Sequence, residues 1–467
     1  MASAHQGKLG SVISIFQSLR LVKEIYMWWF FIASLLLLTP VLYPQSAANL
    51  LLPQQQTNQS PGRSTQYHFP TVNQLPVQKG FPNPFKMQDG REVKTVNDWN
   101  RQRYYLKALL AHYLYGTMPP NPGKVTIRNT STRPTQDGDG VEMVFNLTIT
   151  RGGKNVILRM GIVKPKGLGP YPVVIKNDRN LFPGLTSKNF SLAVGGKLSP
   201  RLSAEYEKHD AFAVQEALKR GYIYCKFIRT DLALDEPDNR HSGLFPLYPE
   251  YDWATIAVWS WGYQLVINAL QEMDFVDTSK IVSTGHSRGG KTALCAAIYD
   301  ERIAISAPNS SGTGGTGSFR FFEKGQRPQT VASQKERHSY WWVPRLLEFS
   351  NQTDKLPFDA HFMKALIAPR GLINPHSRQD YWANPYGTQL THQAAQLVFD
   401  WLGVSNHNGI HWRKGGHAQK KEDWLALFDF ADHYFLGKSA ERKFDILAYP
   451  EAKPDIHWSL PASPPGL

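Results

Sequence analysis

From Tyr171 onward, short apolar runs alternate with amphipathic stretches. Runs of four to six residues rich in Val, Ile and aromatics read as strands at Pro172–Ile175, Tyr222–Phe227, Ile281–Thr284, Ile303–Ala307, Gly371–Asn374 and Ile410–Trp412. Between and after them, helical periodicity covers 205–220, 253–273, 288–299, 391–402 and 420–436. Short buried strands separated by helices predict a mostly parallel sheet with helices on both faces, an α/β three-layer αβα sandwich. In the last helix Trp424, Leu427, Phe428, Ala431, Tyr434 and Phe435 recur at helical spacing and should cover the sheet as core. Upstream, a helix is expected from Val96 to Tyr115, followed by alternating strands at Val141–Arg151 and Val156–Val163.

The N-terminal pattern is of another kind. Ile25–Tyr43 is an uncharged apolar run of 19 residues, about long enough to cross ~30 Å of hydrocarbon as a helix. Trp28, Trp29 and Tyr43 suit its interfaces, and Lys8, Arg20 and Lys23 precede it. The positive-inside rule then leaves residues 1–24 in the cytoplasm and everything after Tyr43 outside or in a lumen. A cleaved signal peptide ending near Ser46-Ala47-Ala48 is the rival, and the long polar segment before the run favours an uncleaved anchor. Residues 44–80, rich in Gln, Asn, Ser and Pro, read as a flexible linker, 81–440 as the catalytic domain and 441–467 as a C-terminal tail.

Composition narrows the rest. With 42% hydrophobic and 19% charged residues in 467, a disordered chain is excluded. Two cysteines exclude a Cys-rich zinc site or a disulfide scaffold, and the apolar flanks of Cys225 and Cys295 favour two buried thiols over a pair. No metal and no cofactor is called for. The net charge of +14 suits an acidic partner such as a uronic-acid polysaccharide, nucleic acid or anionic lipid, and by itself selects none of them. Nucleic acid is not expected, because the charge is spread along the chain and lies beyond the apolar run. A monomer is expected. Sequons at Asn58, Asn129, Asn146, Asn189, Asn309 and Asn351 agree with an exported chain.

The chemistry concentrates at Lys280–Ala297, K-I-V-S-T-G-H-S-R-G-G-K-T-A-L-C-A-A. G-x-S-x-G alone is a weak signal, but here a β-branched strand runs into it and a small-residue helix leaves it. That strand–turn–helix context makes Ser287 a nucleophile on a strained turn, with an α/β-hydrolase fold around it. Serine needs a base, and the base an orienting acid, in the chain order Ser, Asp or Glu, His. His417, in R-K-G-G-H-A after the last strand, is the base expected from that order. His411 lies within the strand and reads as structural. Asp380 in H-S-R-Q-D-Y-W follows the strand Gly371–Asn374, where the acid is expected, although a loop cap would look the same.

These residues resemble the glucuronoyl esterases, carbohydrate esterase family 15, the bacterial-type members more than the fungal. The likeness runs from about Pro82 to Gly437 through W-A-T-I-A-V-W-S-W-G, G-H-S-R-G-G-K-T-A-L, L-P-F-D-A-H-F-M-K-A-L-I-A-P-R-G-L and D-Y-W-A-N-P. The resemblance implies hydrolysis of esters between 4-O-methyl-glucuronic acid on xylan and lignin alcohols. It makes Ser287 the nucleophile, His417 the base, Arg288 the oxyanion ligand and Lys291 a binder of sugar hydroxyls. Trp382 would contact the glucuronate and Trp342 would form another pocket wall. Fungal members carry a catalytic glutamate where this chain has Ser310, which moves the acid to Asp380. Another carbohydrate esterase of the acetyl-xylan type, or a non-catalytic polyanion-binding protein on the same fold, are the competing functions.

Overall fold

A computed structural model describes residues 67–182 and 200–462. The apolar run Ile25–Tyr43, most of the 44–80 linker, Asn58 and Asn189 lie outside the described residues. Among the described residues no helix is long and apolar enough to cross a membrane.

Among the described residues nine strands form one sheet: β1 Thr126–Pro134, β2 Gly140–Arg151, β3 Lys154–Pro165, β4 Tyr171–Asp178, β5 Ile223–Ile228, β6 Val276–His286, β7 Ile305–Asn309, β8 Gly371–Ser377 and β9 Asn408–Arg413. Their spatial order is β1-β2-β3-β5-β4-β6-β7-β8-β9. From β5 to β9 all pairings are parallel, whereas β1, β2 and β3 are antiparallel neighbours and β3 meets β5 antiparallel. β2 and β3 pair without slip from Gly140↔Pro165 to Arg151↔Lys154. Their two-residue turn is Gly152-Gly153, both at positive φ (57° and 73°), the backbone that a tight hairpin demands and that glycine supplies without a Cβ clash. β1 escapes sequence reading because T-I-R-N-T-S-T-R-P is an exposed edge strand with no apolar face to leave a period.

The helices that matter for the site are α1 Val96–Leu110, α2 Pro200–Arg220, α3 Thr255–Leu270, α4 Arg288–Tyr299, α5 Val331–Arg337, α6 Pro344–Leu347, α7 Ala360–Ala365, α8 Pro385–Trp401 and α9 Lys421–Leu436. α1 is capped by Thr95, whose side chain accepts from the Asp98 N–H, and it runs into a wider turn at Ala111–Tyr115. α3 is mostly apolar and buried along nearly its whole length, with only Gln264 and Asn268 half-buried and the Trp259 indole donating to the Ala233 carbonyl (2.8 Å). α9 buries Trp424, Leu427, Phe428 and Ala431 against Val282, Ile305 and Ile373 of the sheet, as its periodicity predicts. Cys225 and Cys295 are both buried free thiols, and the Cys295 thiol donates to the Ser260 hydroxyl (3.3 Å).

Two segments differ from expectation. Residues 67–80 are not all loose linker: Phe69, Val72 and Leu75 are buried, and Phe69 stacks on His112. The tail also packs. Ile456 bridges to Phe81, the Trp458 indole donates to the Phe81 carbonyl (2.8 Å), and the Ile410 N–H donates to the Phe444 carbonyl (2.7 Å), covering the edge of β9. Isolated aromatics such as Phe69, Phe444 and Trp458 carry no periodicity, so their packing leaves no mark in the sequence pattern.

Candidate active site

Ser287 stands between β6 and α4 at φ 55°, ψ −119°. No ordinary side chain favours that backbone, and its cost is sustained only where neighbours fix it. The neighbours are glycines for a packing reason. A Cβ on Gly285 would enter the Gly289 carbonyl, and one on Gly290 would lie 2.9 Å from the Asn309 carbonyl oxygen. The Ser287 N–H donates to that same Asn309 carbonyl (3.0 Å), tying the turn to β7. The serine is thereby lifted to the carboxyl edge of the parallel strands at the start of a helix.

His417 and Asp380 arrive on the loops that leave β9 and β8. The His417 Nε2 is 2.9 Å from the Ser287 Oγ and its Nδ1 is 2.7 Å from the Asp380 Oδ2. Asp380 is buried, and burial pulls its carboxyl up; the hydrogen bond and charge of His417 pull it further down, so it stays below the usual carboxylate value. Both loops are held. Arg413, buried at the end of β9, donates from Nε to Asp423 (2.7 Å) and from its terminal nitrogens to the Lys414, Gly416 and Ala418 carbonyls. The Ser377 hydroxyl donates to the Gly415 carbonyl, and the Gly415 N–H to Gln379 Oε1 (2.8 Å), lashing the histidine loop to the aspartate loop. The His286 ring packs 4.6 Å from that of His417, while its Nδ1 meets Asn309 Oδ1 at 2.6 Å. His411 stays on β9, as expected of a structural residue, and joins neither partner.

Arg288 lies beside the serine with its guanidinium 4.6 Å over the Trp341 ring and its side chain 27% exposed. One terminal nitrogen donates to Asp235 Oδ2 (2.6 Å). Trp382, two residues after Asp380, is 36% exposed and has the Arg337 guanidinium 5.7 Å over its ring.

Lys291 and Trp342 are placed differently from the expectation. Lys291 is buried and donates to the Ser311 and Thr313 carbonyls and to Gln329 Oε1, three acceptors for three N–H bonds. Burial and the nearby Arg288 charge bring its pKa down to about 7. Trp342 is buried too, with its indole donating to Gln334 and its ring closing over Gly314. It backs the site from within the core and does not face open solvent. Asn309 is fully buried with its amide used at both ends, which leaves that sequon closed to a glycan, whereas Asn129 and Asn351 are exposed. Sequence reasoning missed Asp235, Gln329 and Trp341; none belongs to a motif, and each meets its partner only across the fold. Among the described residues no group of three His, Cys, Asp or Glu side chains could hold a metal ion.

A family model for fungal glucuronyl esterases matches residues 208–403. Carbohydrate esterase MZ0003, from an unknown prokaryotic organism, is 28% identical over 410 residues, spanning 76% of this chain and 90% of that one. A 4-O-methyl-glucuronoyl methylesterase of Schizophyllum commune is 28% identical over 404 residues, covering 82% and 90%. Among solved structures, the family 15 glucuronoyl esterase of Caldicellulosiruptor kristjansonii superposes with a TM-score of 0.67 at 26% identity, over 86% of this chain and all (100%) of that one. In sequence, and in an α/β-hydrolase core with a serine on its strained turn, the chain is thus similar over most of its length to the glucuronoyl esterases, carbohydrate esterase family 15.

Proposed function

We propose that this protein is a serine carboxylic ester hydrolase that cleaves esters of glucuronic or 4-O-methyl-glucuronic acid, as in lignin–glucuronoxylan linkages. The observation that carries the reading is the continuous relay from Ser287 Oγ through His417 to Asp380, at 2.9 and 2.7 Å. The serine oxygen attacks the uronate carbonyl while His417 Nε2 takes its proton, and Asp380 holds the imidazole with Nδ1 protonated. The tetrahedral oxyanion lies against Arg288 and backbone N–H groups at the start of α4, which stabilise charge that exists only after attack. His417 returns the proton to the alcohol as it leaves, and the acyl-enzyme remains. Water, deprotonated by the same imidazole, then releases the uronate and restores the serine.

The Trp382 face supplies a platform for the C–H face of a pyranose. Lys291 reaches a sugar hydroxyl only by sharing donors already given to Ser311, Thr313 and Gln329, so it serves first as the post that fixes these elements beneath the substrate. The relatives bearing the name 4-O-methyl-glucuronoyl methylesterase support the uronate over a neutral sugar.

The apolar run Ile25–Tyr43, uncharged and preceded by Lys8, Arg20 and Lys23, supports a membrane anchor that places this domain outside the cytoplasm. The exposed sequons Asn129 and Asn351 are compatible with that side. The test of function is hydrolysis of benzyl glucuronate against an acetylated xylan by the purified full chain. Preference for the uronate supports the reading, and preference for the acetyl ester overturns it.

A further inference from the structure

Outside the relay, one heavily partnered side chain near the serine has no part in the proposed mechanism. Asp235, on the loop after β5, has a side chain with no exposed surface (0%). Four donors converge on its carboxylate: the Arg288 guanidinium at 2.6 Å, the Tyr340 hydroxyl at 2.9 Å, the Trp341 indole at 3.1 Å and, as an ion pair at 4.0 Å, Arg229. Trp341 acts twice, because its ring also lies under the Arg288 guanidinium at 4.6 Å and carries His338 stacked at 3.9 Å.

We propose that Asp235 is a positioning residue for the reaction: with Tyr340 and Trp341 it fixes the Arg288 guanidinium so that its remaining N–H bonds face the oxyanion formed at Ser287. This rests on the esterase reading above and extends it. Three features argue for positioning beyond mere burial of an ion pair. The hydrogen bond to Asp235 comes from one terminal nitrogen, which leaves the rest of the five-donor fork for another acceptor. A free arginine side chain samples many rotamers, and a donor worth most in the transition state must be held before the charge appears. The charges also sum correctly. A lone carboxylate beside the oxyanion would oppose catalysis, but Arg229, buried over the Trp259 ring at 5.0 Å, offsets it, so two guanidiniums and one carboxylate leave a net positive charge toward the serine.

The test is a double-mutant cycle on the full chain with benzyl glucuronate and 4-nitrophenyl acetate. Arg288→Ala should lower kcat by on the order of 10² to 10³, the scale of a lost oxyanion donor. Asp235→Asn should lower kcat by on the order of 10² with KM little changed, and it should cost almost nothing more once Arg288 is already alanine. Losses that multiply in the double variant, or a loss confined to KM, would overturn the proposal. If Asp235→Asn does not fold, Trp341→Phe carries the same test, since it removes one donor from the carboxylate and keeps an aromatic ring under the guanidinium. Its kcat loss must likewise vanish in the Arg288→Ala background. A wild-type protein that cleaves only the acetate ester refutes the uronate reading while the cycle on that ester still decides the role of Asp235. A wild type inert to both esters overturns both.

Discussion

Asp380→Asn isolates the electrostatic part of the relay, because the amide has the same shape as the carboxylate it replaces. During attack His417 becomes an imidazolium with Nδ1 2.7 Å from the Asp380 oxygen. Taking about 4 Å between charge centres and an effective dielectric near 20, the pair contributes about 4 kcal/mol, or roughly 10³ in rate. An asparagine can also turn its NH₂ toward Nδ1, which favours the tautomer with Nε2 protonated and unable to accept the serine proton. That costs about one further order of magnitude, for a total near 10⁴, the scale of the same change in the serine-protease template. Ser310, buried with an uncharged hydroxyl, offers no substitute. The assay is initial-rate hydrolysis of benzyl glucuronate by wild type and variant, with thermal unfolding as a check that both are folded. A kcat within about tenfold of wild type would show that Asp380 is not the orienting acid, whatever its distance from the imidazole.

Ser287→Ala should reduce turnover by on the order of 10⁶ and abolish labelling by a fluorophosphonate, read by mass spectrometry; residual labelling would mean another nucleophile. Trp382→Ala should raise KM for the uronate about tenfold with a smaller change in kcat, as expected when a stacking platform is lost, and steady-state kinetics decide it. Lys291 binds its proton more weakly folded, at about 7, than the usual 10.5 of an unfolded lysine. Between those values the unfolded chain holds more protons, so the burden of burying this cation is full below pH 7 and fades as pH rises. Relative to Lys291→Met, the wild type should therefore gain stability with pH across that window at up to about 1.4 kcal/mol per pH unit, and parallel denaturation curves would refute it. Gly285→Ala should destabilise by about 1–3 kcal/mol, because its methyl enters the Gly289 carbonyl and the turn cannot open without moving the serine; a denaturant melt measures it.

How far the sequence could be read depended on whether a residue's role is local. The β6 strand, the glycines around Ser287 and the small-residue helix after them are adjacent in the chain and enforce one backbone, so the strained turn that carries Ser287 was legible from a dozen letters. The parallel strands were legible because burial on both faces demands continuous apolar runs, and α9 because one buried face imposes a helical period. By contrast β1 is exposed along its length and left no pattern to read. The order of strands follows from no single run either, since β4 sits between β5 and β6 only once crossover connections are made.

In the site, the sequence by itself determined which residue types were available and, through chain order, which acid and base were expected. Tertiary structure alone decided their distances and their hydrogen-bond partners. Asp380 and His417 are 37 residues apart and meet because Arg413, Ser377 and Gln379 tie two loops together. The resemblance implies that Lys291 binds sugar hydroxyls, but the fold surrounds its ammonium with three oxygens and so holds it in place. Asp235 lies 53 residues before Arg288 and had no signature at all. A motif records what the neighbouring backbone must do, whereas hydrogen-bond partners, burial and the resulting pKa depend on groups brought together across the sheet, and those are fixed only when the chain has folded.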